Sequence, residues 1–367
     1  MDNQLPNDFK CPISLEIMSD PVILSSGHTF DRTSIQRWLD AGHRTCPITK
    51  LPLPEPPTLI PNHALRSLIF NYSPISFPEP NSYPTDPQTP IRILLSSSSH
   101  TKDKLNSLEN LTRSSKRDSE ARRRLVESGA VSAVLNCVDS GVSGLEEKAL
   151  HLLLNLSLDD DSKVGLVAEG ILRKVVYALR GGVGDSRAVA ATLLTSLAVL
   201  EVNKVTIGSY PDLIQGLVSL LKEGNSRERK EAATALYTLC SFPDNRIRAI
   251  HSNVVPVLIR NVGSGLERAV EVLGLLAKCW HARDEMVRYS GILGILIRVV
   301  KDGSSRGVQY ALLTLSYLCS HSEIMGLEGL SEGLFAICVD LLEDDNEKVR
   351  RNSKILIQVL QGKRKIV

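Results

Sequence analysis

From residue 101 onwards the chain repeats one short pattern, and this repeat limits the fold more than any other feature. The pattern is Ala, three residues, Leu, two residues, Leu, and five copies match it in full. With one weaker copy at each end, the last leucines of successive copies are Leu111, Leu156, Leu197, Leu239, Leu276, Leu318 and Leu360, a period of about 42 residues. Positions i, i+4 and i+7 share one side of a helix, so each copy predicts a helix burying Ala and two Leu. The tandem array predicts an α-solenoid.

Two further apolar segments accompany each copy of the pattern. One precedes it, as at residues 131–138, 171–179 and 211–221, and a shorter one lies between repeats, as at 161–170. Three helices per period, with the phrase LLNLS at 153–157, resemble the armadillo repeat. HEAT repeats, with two helices per unit, are the alternative, and the short third helix favours armadillo. The resemblance implies a right-handed all-α solenoid of about six repeats with an extended concave face.

Proline divides the chain into two regimes. Fifteen of the 18 prolines lie before residue 91. Residues 73–99 combine six prolines with a serine run at 96–99, a composition typical of an extended linker. We therefore predict a first domain at 1–73, a Pro/Ser-rich linker at 74–100 and the solenoid at 101–367.

Charge and cysteine content limit the classes of partner and compartment. The net charge of +2 lacks the basic bias of a nucleic-acid binder, so we expect protein partners. The longest apolar runs are too short for a membrane span. Seven scattered cysteines and an amino terminus without a signal-peptide pattern favour a reduced, cytoplasmic location. Basic runs at 116–124 and at the end of the chain leave a nuclear location open.

Residues 6–72 predict a small α+β domain. A strand at 22–24 leads through a turn to residues 28–30, which is typical of a hairpin. Thr33 and Gln36 resemble a capping box that opens a helix, and Gly42 is placed to end it. A second helix is expected from Asn62. Ile35, Trp38 and Leu39 are predicted to share one face of the first helix, and the second helix is predicted to bury Leu65, Leu68 and Ile69.

A loop, hairpin, helix and loop of this size is also the outline of a zinc cross-brace. That scaffold needs eight Cys or His ligands in paired spacing. Residues 1–72 contain five, Cys11, His28, His43, Cys46 and His63, and no C-x-x-C. The sequence therefore predicts no metal and no other cofactor.

Five strings in this region resemble one known domain. They are CPISLEIMSDPV (11–22), GHTFDR (27–32), IQRWL (35–39), CPITK (46–50) and LIPNHALRSLI (59–69). In this order they resemble the U-box, the zinc-free relative of the RING domain, in which polar and apolar contacts replace the metals. Asp20, Asp31 and Arg32 are expected to be such polar contacts. A U-box followed by armadillo repeats is similar to the plant U-box/armadillo family of ubiquitin ligases over nearly the whole chain.

The resemblance implies a RING-type ubiquitin ligase without a covalent ubiquitin-enzyme intermediate. Its U-box would dock a ubiquitin-conjugating enzyme charged with ubiquitin, and its repeats would recruit protein substrates. The implied docking residues are Ile13, Leu15, Trp38, Pro47, Ile48 and Lys50, with a core position as the alternative for Leu15 and for Trp38. Family members often have Arg where this chain has Lys50, which lacks the planar fork. A non-catalytic adaptor with a degenerate U-box is therefore the alternative function, and a U-box homodimer stays open.

Substrate contacts are expected on the exposed side of the repeating helices, which would form the concave face. The alternative is that these positions are solvated and have no special role. Only Asn110 and Asn155 fit the Asn ladder of armadillo peptide binders, so a peptide held by such a ladder is not expected. The predicted contact residues are His151, Asn155, Thr192, Ser196, Thr234, Thr238, Glu271, Leu275, Tyr310, Leu313 and Tyr317.

Overall fold

A computed structural model describes residues 7–54, 57–62, 65–66, 68–69, 87–117, 119–142 and 144–364. The chain divides into two compact units. The first comprises residues 1–92 and 123–130, and the second comprises residues 93–122 and 131–367. Each unit is described by itself.

A small antiparallel sheet and one helix organise the first unit. After a 3-10 turn at Asn7–Phe9 come β1 (Pro21–Ile23), β2 (Thr29–Asp31) and α1 (Arg32–Asp40), followed by β3 (Ile60–Pro61). The strand order is β2-β1-β3, with Val22 opposite Phe30 on one side and opposite Pro61 on the other. The predicted hairpin is therefore confirmed. The third strand was not predicted, because two residues carry no alternating pattern.

The core of the first unit lies between this sheet and α1. Phe30 and Ile35 are fully buried, and Trp38 and Leu65 pack against the same cluster. Residues 65, 66, 68 and 69 are helical. Leu68 is nevertheless 48% exposed, so its predicted burial is wrong: the short helix covers the core with its Leu65 and Ile69 edge.

Part of the predicted linker is helical. Residues 73–86 lie outside the described residues, but Gln88–Leu95 form α2 and bury Ile91 and Leu94. Pro90 does not prevent this helix, because a proline in the first turn removes an N–H that has no helical partner. An extended linker is therefore wrong for residues 88–95. The domain boundaries at 73 and 100 stay predictions.

Helices occupy nearly all of the described chain from residue 101 to residue 364. The first is α3 (Thr101–Ser115), and from residue 119 the helices follow in six triplets, each with a short, an upstream and a repeating helix. The short helices are α4 (Ser119–Glu127), α7 (Asp160–Ala168), α10 (Glu201–Ser209), α13 (Pro243–His251), α16 (Trp280–Arg288) and α19 (Glu323–Ser331). The upstream helices are α5 (Ala130–Val138), α8 (Ile171–Gly181), α11 (Leu213–Glu223), α14 (Val254–Gly263), α17 (Ile292–Asp302) and α20 (Leu334–Asp340). The repeating helices are α6 (Leu145–Leu156), α9 (Ser186–Leu197), α12 (Ser226–Cys240), α15 (Glu267–Leu276), α18 (Ser305–His321) and α21 (Glu347–Arg364).

Each repeating helix packs against the next one along the chain, from α3 to α21. The Ala and Leu positions of the repeat are buried, as predicted; Ala232, Leu236 and Leu239 have no exposed surface. Neighbouring short helices are tied by buried asparagines. Asn245 donates through Nδ2 to the Lys204 carbonyl of the preceding short helix, at 2.8 Å. The predicted mostly α fold, with a small strand-containing domain before an armadillo solenoid, is confirmed.

Across the part of the chain that the structure describes, no helix combines the length and the apolar character that crossing a membrane requires.

Candidate functional site

Two six-residue loops of the first unit have the same backbone geometry. Loop 1 (residues 11–16) and loop 2 (residues 46–51) both begin Cys-Pro-Ile. In each, the Cys N–H donates to the carbonyl of the sixth residue, at 2.7 Å in loop 1 and 2.9 Å in loop 2. The N–H of the fifth residue donates back to the Cys carbonyl, at 2.8 and 2.9 Å. That fifth residue, Leu15 or Lys50, has a φ of 62° or 61°, which turns the chain back on itself.

The tight turns leave apolar side chains in solvent. Leu15 is 73% exposed and Ile48 is 45% exposed, and Ile13 is exposed as well. The core position that was the alternative for Leu15 is therefore wrong. Pro47 is half-buried. Apolar side chains held out on rigid loops are typical of a protein interaction surface, although the docking role of these residues stays a prediction.

A buried cysteine sulfur organises each loop from inside. The N–H of Asp31 donates to Cys11 Sγ at 3.3 Å, and the hydroxyl of Ser26 donates to Cys46 Sγ at 3.1 Å. Burial raises the pKa of the Cys46 thiol, but hydrogen bonds from Ser26 and Thr49 outweigh it and lower the pKa to about 7. The pKa of Cys11 is lowered against burial in the same way, by hydrogen bonds from loop 1 and Asp31. Hydrogen-bonded sulfurs hold these loops in shape.

Asp31 links the segment before β1 to the start of α1. Its Oδ2 accepts from the N–H groups of Ser19 and Asp20, at 2.8 and 3.0 Å, and its Oδ1 accepts from the Thr33 N–H at 3.1 Å. Burial raises the pKa of Asp31, and these hydrogen bonds outweigh it and lower the pKa. The predicted Thr33 and Gln36 capping box is therefore wrong: Asp31 is the N-cap, because its carboxylate precedes the first helical residue.

The expected polar ties also include an ion pair. Arg32 Nε donates to Asp20 Oδ2 at 2.7 Å, while the Arg32 N–H donates to the Asp20 carbonyl at 2.8 Å. Arg66 forms a second ion pair with Asp20. These contacts join the segment before β1 to the start of α1 and to the helical residues near 66.

Trp38 connects α1 to loop 2. Its indole Nε1 donates to the Thr45 carbonyl at 2.9 Å, and its ring stacks on His43 with centroids 3.9 Å apart. Trp38 is half-buried and packs against the core, so it connects loop 2 to the core. The expectation that Trp38 shares a helix face with Ile35 and Leu39 is confirmed.

Lys50 is held by its own loop. Its Nζ donates to the Pro47 carbonyl at 2.9 Å and lies 5.6 Å from the centre of the Trp38 ring. These contacts orient the ammonium group and leave it exposed.

Sequence reasoning missed two residues of this surface. Leu51 is 58% exposed at the end of loop 2, and exposed His43 stacks on Trp38. The matching Cys-Pro-Ile starts of the two loops could have indicated Leu51, because it occupies the last position of the second loop. His43 could not be found this way, since its stacking depends on how α1 meets loop 2.

Several predicted groove residues of the second unit form hydrogen bonds to the neighbouring repeat. Asn155 Nδ2 donates to the Ser115 hydroxyl at 3.1 Å, and the Thr192 hydroxyl donates to Glu231 at 3.1 Å. Ser196 bonds to the preceding triplet through the Ser157 carbonyl, at 3.0 Å. These side chains tie neighbouring repeating helices together. Substrate contact by them stays a prediction.

The remaining predicted groove residues differ in exposure. Thr234 and Thr238 donate to carbonyls of their own helix, at 2.9 and 3.0 Å. The half-buried ones are His151, Tyr310, Leu313 and Tyr317. The predicted exposure of Glu271 and Leu275 is wrong, because both side chains are buried. Glu271 is covered because two arginine side chains close over its carboxylate.

Comparison with known families agrees with both units. The model of the U-box domain matches residues 5–74, and the model of the plant U-box protein ARM repeat region matches residues 91–298. The chain belongs to the plant U-box/armadillo-repeat protein family.

Relatives support this assignment over the full length. U-box domain-containing protein 8 of Arabidopsis thaliana is 58% identical over 365 residues, covering 98% of each chain. E3 ubiquitin-protein ligase PUB23 of the same plant is 28% identical, covering 97% of this chain and 92% of its own. Among solved structures, an engineered protein shares the fold with a TM-score of 0.65 at 20% identity, over 75% of this chain and 68% of its own.

Proposed function

We propose that this U-box/armadillo protein is a RING-type ubiquitin-protein ligase. Its U-box docks a ubiquitin-conjugating enzyme charged with ubiquitin, and its repeats recruit the protein substrate. The main support is the pair of matching loops whose apolar residues face solvent beside Trp38, in a chain related to a protein named an E3 ubiquitin-protein ligase. Such a ligase acts by orienting the charged enzyme and raising its effective concentration near a substrate lysine.

The chemistry proposed here needs no cysteine nucleophile in this chain. Cys11 and Cys46 lie beside the docking surface, but neither sulfur is exposed and both accept hydrogen bonds. A thioester with ubiquitin requires an accessible thiolate. We expect ubiquitin to pass directly from the conjugating enzyme to a lysine, so a non-reducing gel should show no ubiquitin thioester on this chain.

The decisive experiment is discharge of charged conjugating enzymes, tested as a panel, to free lysine. Ile48→Ala and Ile13→Ala remove exposed apolar contacts and should each cost about 2 to 4 kcal/mol of docking free energy if they are hot spots. Ile60→Ala is the matched control, because Ile60 is at least as exposed as Ile13 and Ile48 but lies on β3. Discharge at the wild-type rate in both loop variants would contradict the docking assignment. Trp38 is a poorer test because its removal also loosens loop 2.

Metal removal gives an independent check. We expect discharge to survive strong chelation. Hydrogen bonds to the Cys11 and Cys46 sulfurs and to the Asp31 carboxylate hold this region in shape, in place of paired zinc ligands. Two zinc ions per chain in elemental analysis would contradict this expectation.

One observation favours the second candidate function, a non-catalytic adaptor. The ammonium group of Lys50 is already bonded to the Pro47 carbonyl, and it has one charge centre where Arg would present a planar fork. If the protein is an adaptor, it binds conjugating enzymes but does not accelerate discharge, and Lys50→Arg restores acceleration. A ligase accelerates discharge without this substitution.

A further inference from the structure

A cluster of two arginines, two tyrosines and one glutamate spans three consecutive repeating helices of the solenoid. We call it the Arg–Tyr cluster, and its members are Tyr237 of α12, Arg268 and Glu271 of α15, and Arg306 and Tyr310 of α18. Both guanidinium groups reach the same carboxylate oxygen, Glu271 Oε2, at 2.6 Å from Arg268 and 2.7 Å from Arg306. Two cations and one anion leave the cluster with one positive charge.

The geometry at Glu271 differs from that of the Arg187–Glu228 ion pair in the same solenoid. Arg187 pairs with buried Glu228 in the two-pronged manner, with Nε and Nη2 on separate carboxylate oxygens at 2.7 and 3.0 Å. Arg268 and Arg306 each donate only one N–H to Glu271. A guanidinium has five N–H donors, and the other donors of Arg268 and Arg306 have no partner among the described residues. One arginine would suffice to neutralise Glu271, so the second is available to a ligand.

The tyrosines hold these arginines in place. The guanidinium carbons of Arg268 and Arg306 lie 5.1 and 5.5 Å from the centre of the Tyr237 ring. The hydroxyls of Tyr237 and Tyr310 are 2.7 Å apart, so a hydrogen bond joins α12 to α18 across α15. Gly274 of α15 permits this, because a Cβ there would lie 2.7 Å from the Tyr310 ring. Arginines supported on a rigid platform lose little entropy when they bind.

We propose that the Arg–Tyr cluster binds one carboxylate, that of an aspartate or glutamate in an extended segment of the client protein. This inference rests on the proposed recruitment of clients by the repeats. The side chain of Arg306 is 54% exposed, so a ligand can reach its free donors. A carboxylate matches both the planar fork and the single surplus charge. A phosphate, with a charge of about −1.5 to −2, would exceed that charge.

The test selects ligands without assuming a client. A random peptide library displayed on phage is panned against the full-length protein, its Arg306→Gln variant and the matched control Arg288→Gln. Arg288 lies on the short helix α16 and is highly exposed, so it reports any general loss of positive charge. We expect the wild type and the control to enrich peptides with one shared Asp or Glu position, and Arg306→Gln to lose that preference.

The best peptide and its version with Gln at the acidic position are then compared by fluorescence polarisation. We expect the exchange to weaken binding to the wild type at least tenfold, and to have little effect on Arg306→Gln. Arg306→Lys should restore only part of the difference, because it returns the charge without the fork. Unchanged thermal unfolding of the variants excludes a folding defect.

Three results would overturn the proposal. They are enriched peptides with no shared acidic position, an acid preference that persists in Arg306→Gln, and a library that yields no enriched peptide. None of them affects ubiquitin discharge by the U-box, which is measured on free lysine without a client. Failure of this inference and failure of the ligase proposal are therefore distinguishable.

Discussion

Buried cysteines show how differently the two units are stabilised. In the U-box, Cys11 and Cys46 accept hydrogen bonds inside tight loops, and their pKa values are lowered. In the solenoid, Cys240 and Cys319 are members of the aliphatic core, and burial raises their pKa values to about 12. The stability of the first unit depends on a few polar groups that each accept several hydrogen bonds. The stability of the second unit depends on many similar apolar layers. A disruptive substitution should therefore destabilise the whole U-box, whereas in the solenoid it should destabilise only the neighbouring repeats.

The two tryptophans make this comparison measurable. The chain contains only two, Trp38 in the U-box and Trp280 on α16 of the solenoid. With Trp280→Phe, the remaining emission reports unfolding of the U-box. With Trp38→Phe, it reports the solenoid.

The largest effect is expected at the carboxylate hub of the U-box. Asp31→Ala leaves the N–H groups of Ser19, Asp20 and Thr33 without their acceptor. We expect a loss of about 3 to 5 kcal/mol in U-box stability, seen in Trp38 emission during urea unfolding. Asp40→Ala is the control, because Asp40 is exposed and, among the described residues, its carboxylate accepts a single hydrogen bond, from Gln36. A solenoid that loses as much stability as the U-box would contradict the division into separately stabilised units.

A core leucine of the solenoid should have a comparable but more local effect. Leu236→Ala empties a fully buried position in the middle of the array and should cost about 2 to 5 kcal/mol. Hydrogen exchange should show lost protection in α12 and its neighbours, while the outer triplets keep theirs. Val205→Ala, at an exposed position, should change stability by less than about 0.5 kcal/mol. Uniform loss of protection across all triplets would show that the array unfolds as one block.

A smaller effect is expected at the asparagine tie between α10 and α13. Asn245→Ala removes hydrogen bonds to the Lys204 and Leu239 carbonyls and should cost about 1 to 3 kcal/mol. Asn106→Ala, at an exposed position on α3, is the control.

Gly208 sharpens this prediction. A Cβ at Gly208 would lie 1.8 Å from Asn245 Oδ1, so only glycine leaves room for the Asn245 side chain at this position. Gly208→Ala should therefore destabilise the wild type more than it destabilises Asn245→Ala. Equal costs in the two backgrounds, measured by urea unfolding, would rule out this contact as the reason for the glycine.

The same contrast explains how much of the molecule could be predicted from the sequence. The Ala and Leu positions of the solenoid were found because a repeated triplet buries the same face each time, so periodicity alone identifies it. The Arg–Tyr cluster was not predicted. Tyr237 and Tyr310 are 73 residues apart in sequence and occupy different positions within their repeats. Single contacts between different positions of the repeat leave no periodic signal.

The U-box shows the converse. Its predicted docking residues were suggested by resemblance, and the structure adds why some of them are exposed. Ile13, Leu15 and Ile48 lie in loops that are closed by their own hydrogen bonds. The N-cap was assigned to Thr33 instead of Asp31, because both residue types favour that position and only the hub contacts to Ser19 and Asp20 decide between them.

The smallest predicted effect concerns pH. As pH rises, the free energy of unfolding should increase for the U-box and decrease for the solenoid. Cys46 has a folded pKa of about 7 against an ordinary value of 9.0, so between these values the unfolded chain binds more protons than the folded one. Stability of the U-box should therefore rise from pH 7 to pH 9, and this contribution should disappear as pH falls through 7. Cys46→Ser should remove the slope, as measured by Trp38 emission in urea at each pH.

In the solenoid the thiol of Cys240 stays protonated when folded up to about pH 12, whereas the unfolded chain releases that proton near 9.0. Its contribution is complete below pH 9 and decreases as pH rises further, so the urea midpoint reported by Trp280 should fall between pH 9 and 10.5. Cys240→Ala should reduce that fall. Slopes of the same sign in both units would mean that hydrogen bonds to the U-box sulfurs do not outweigh their burial, and the role of Cys46 as an acceptor that shapes loop 2 would have to be abandoned.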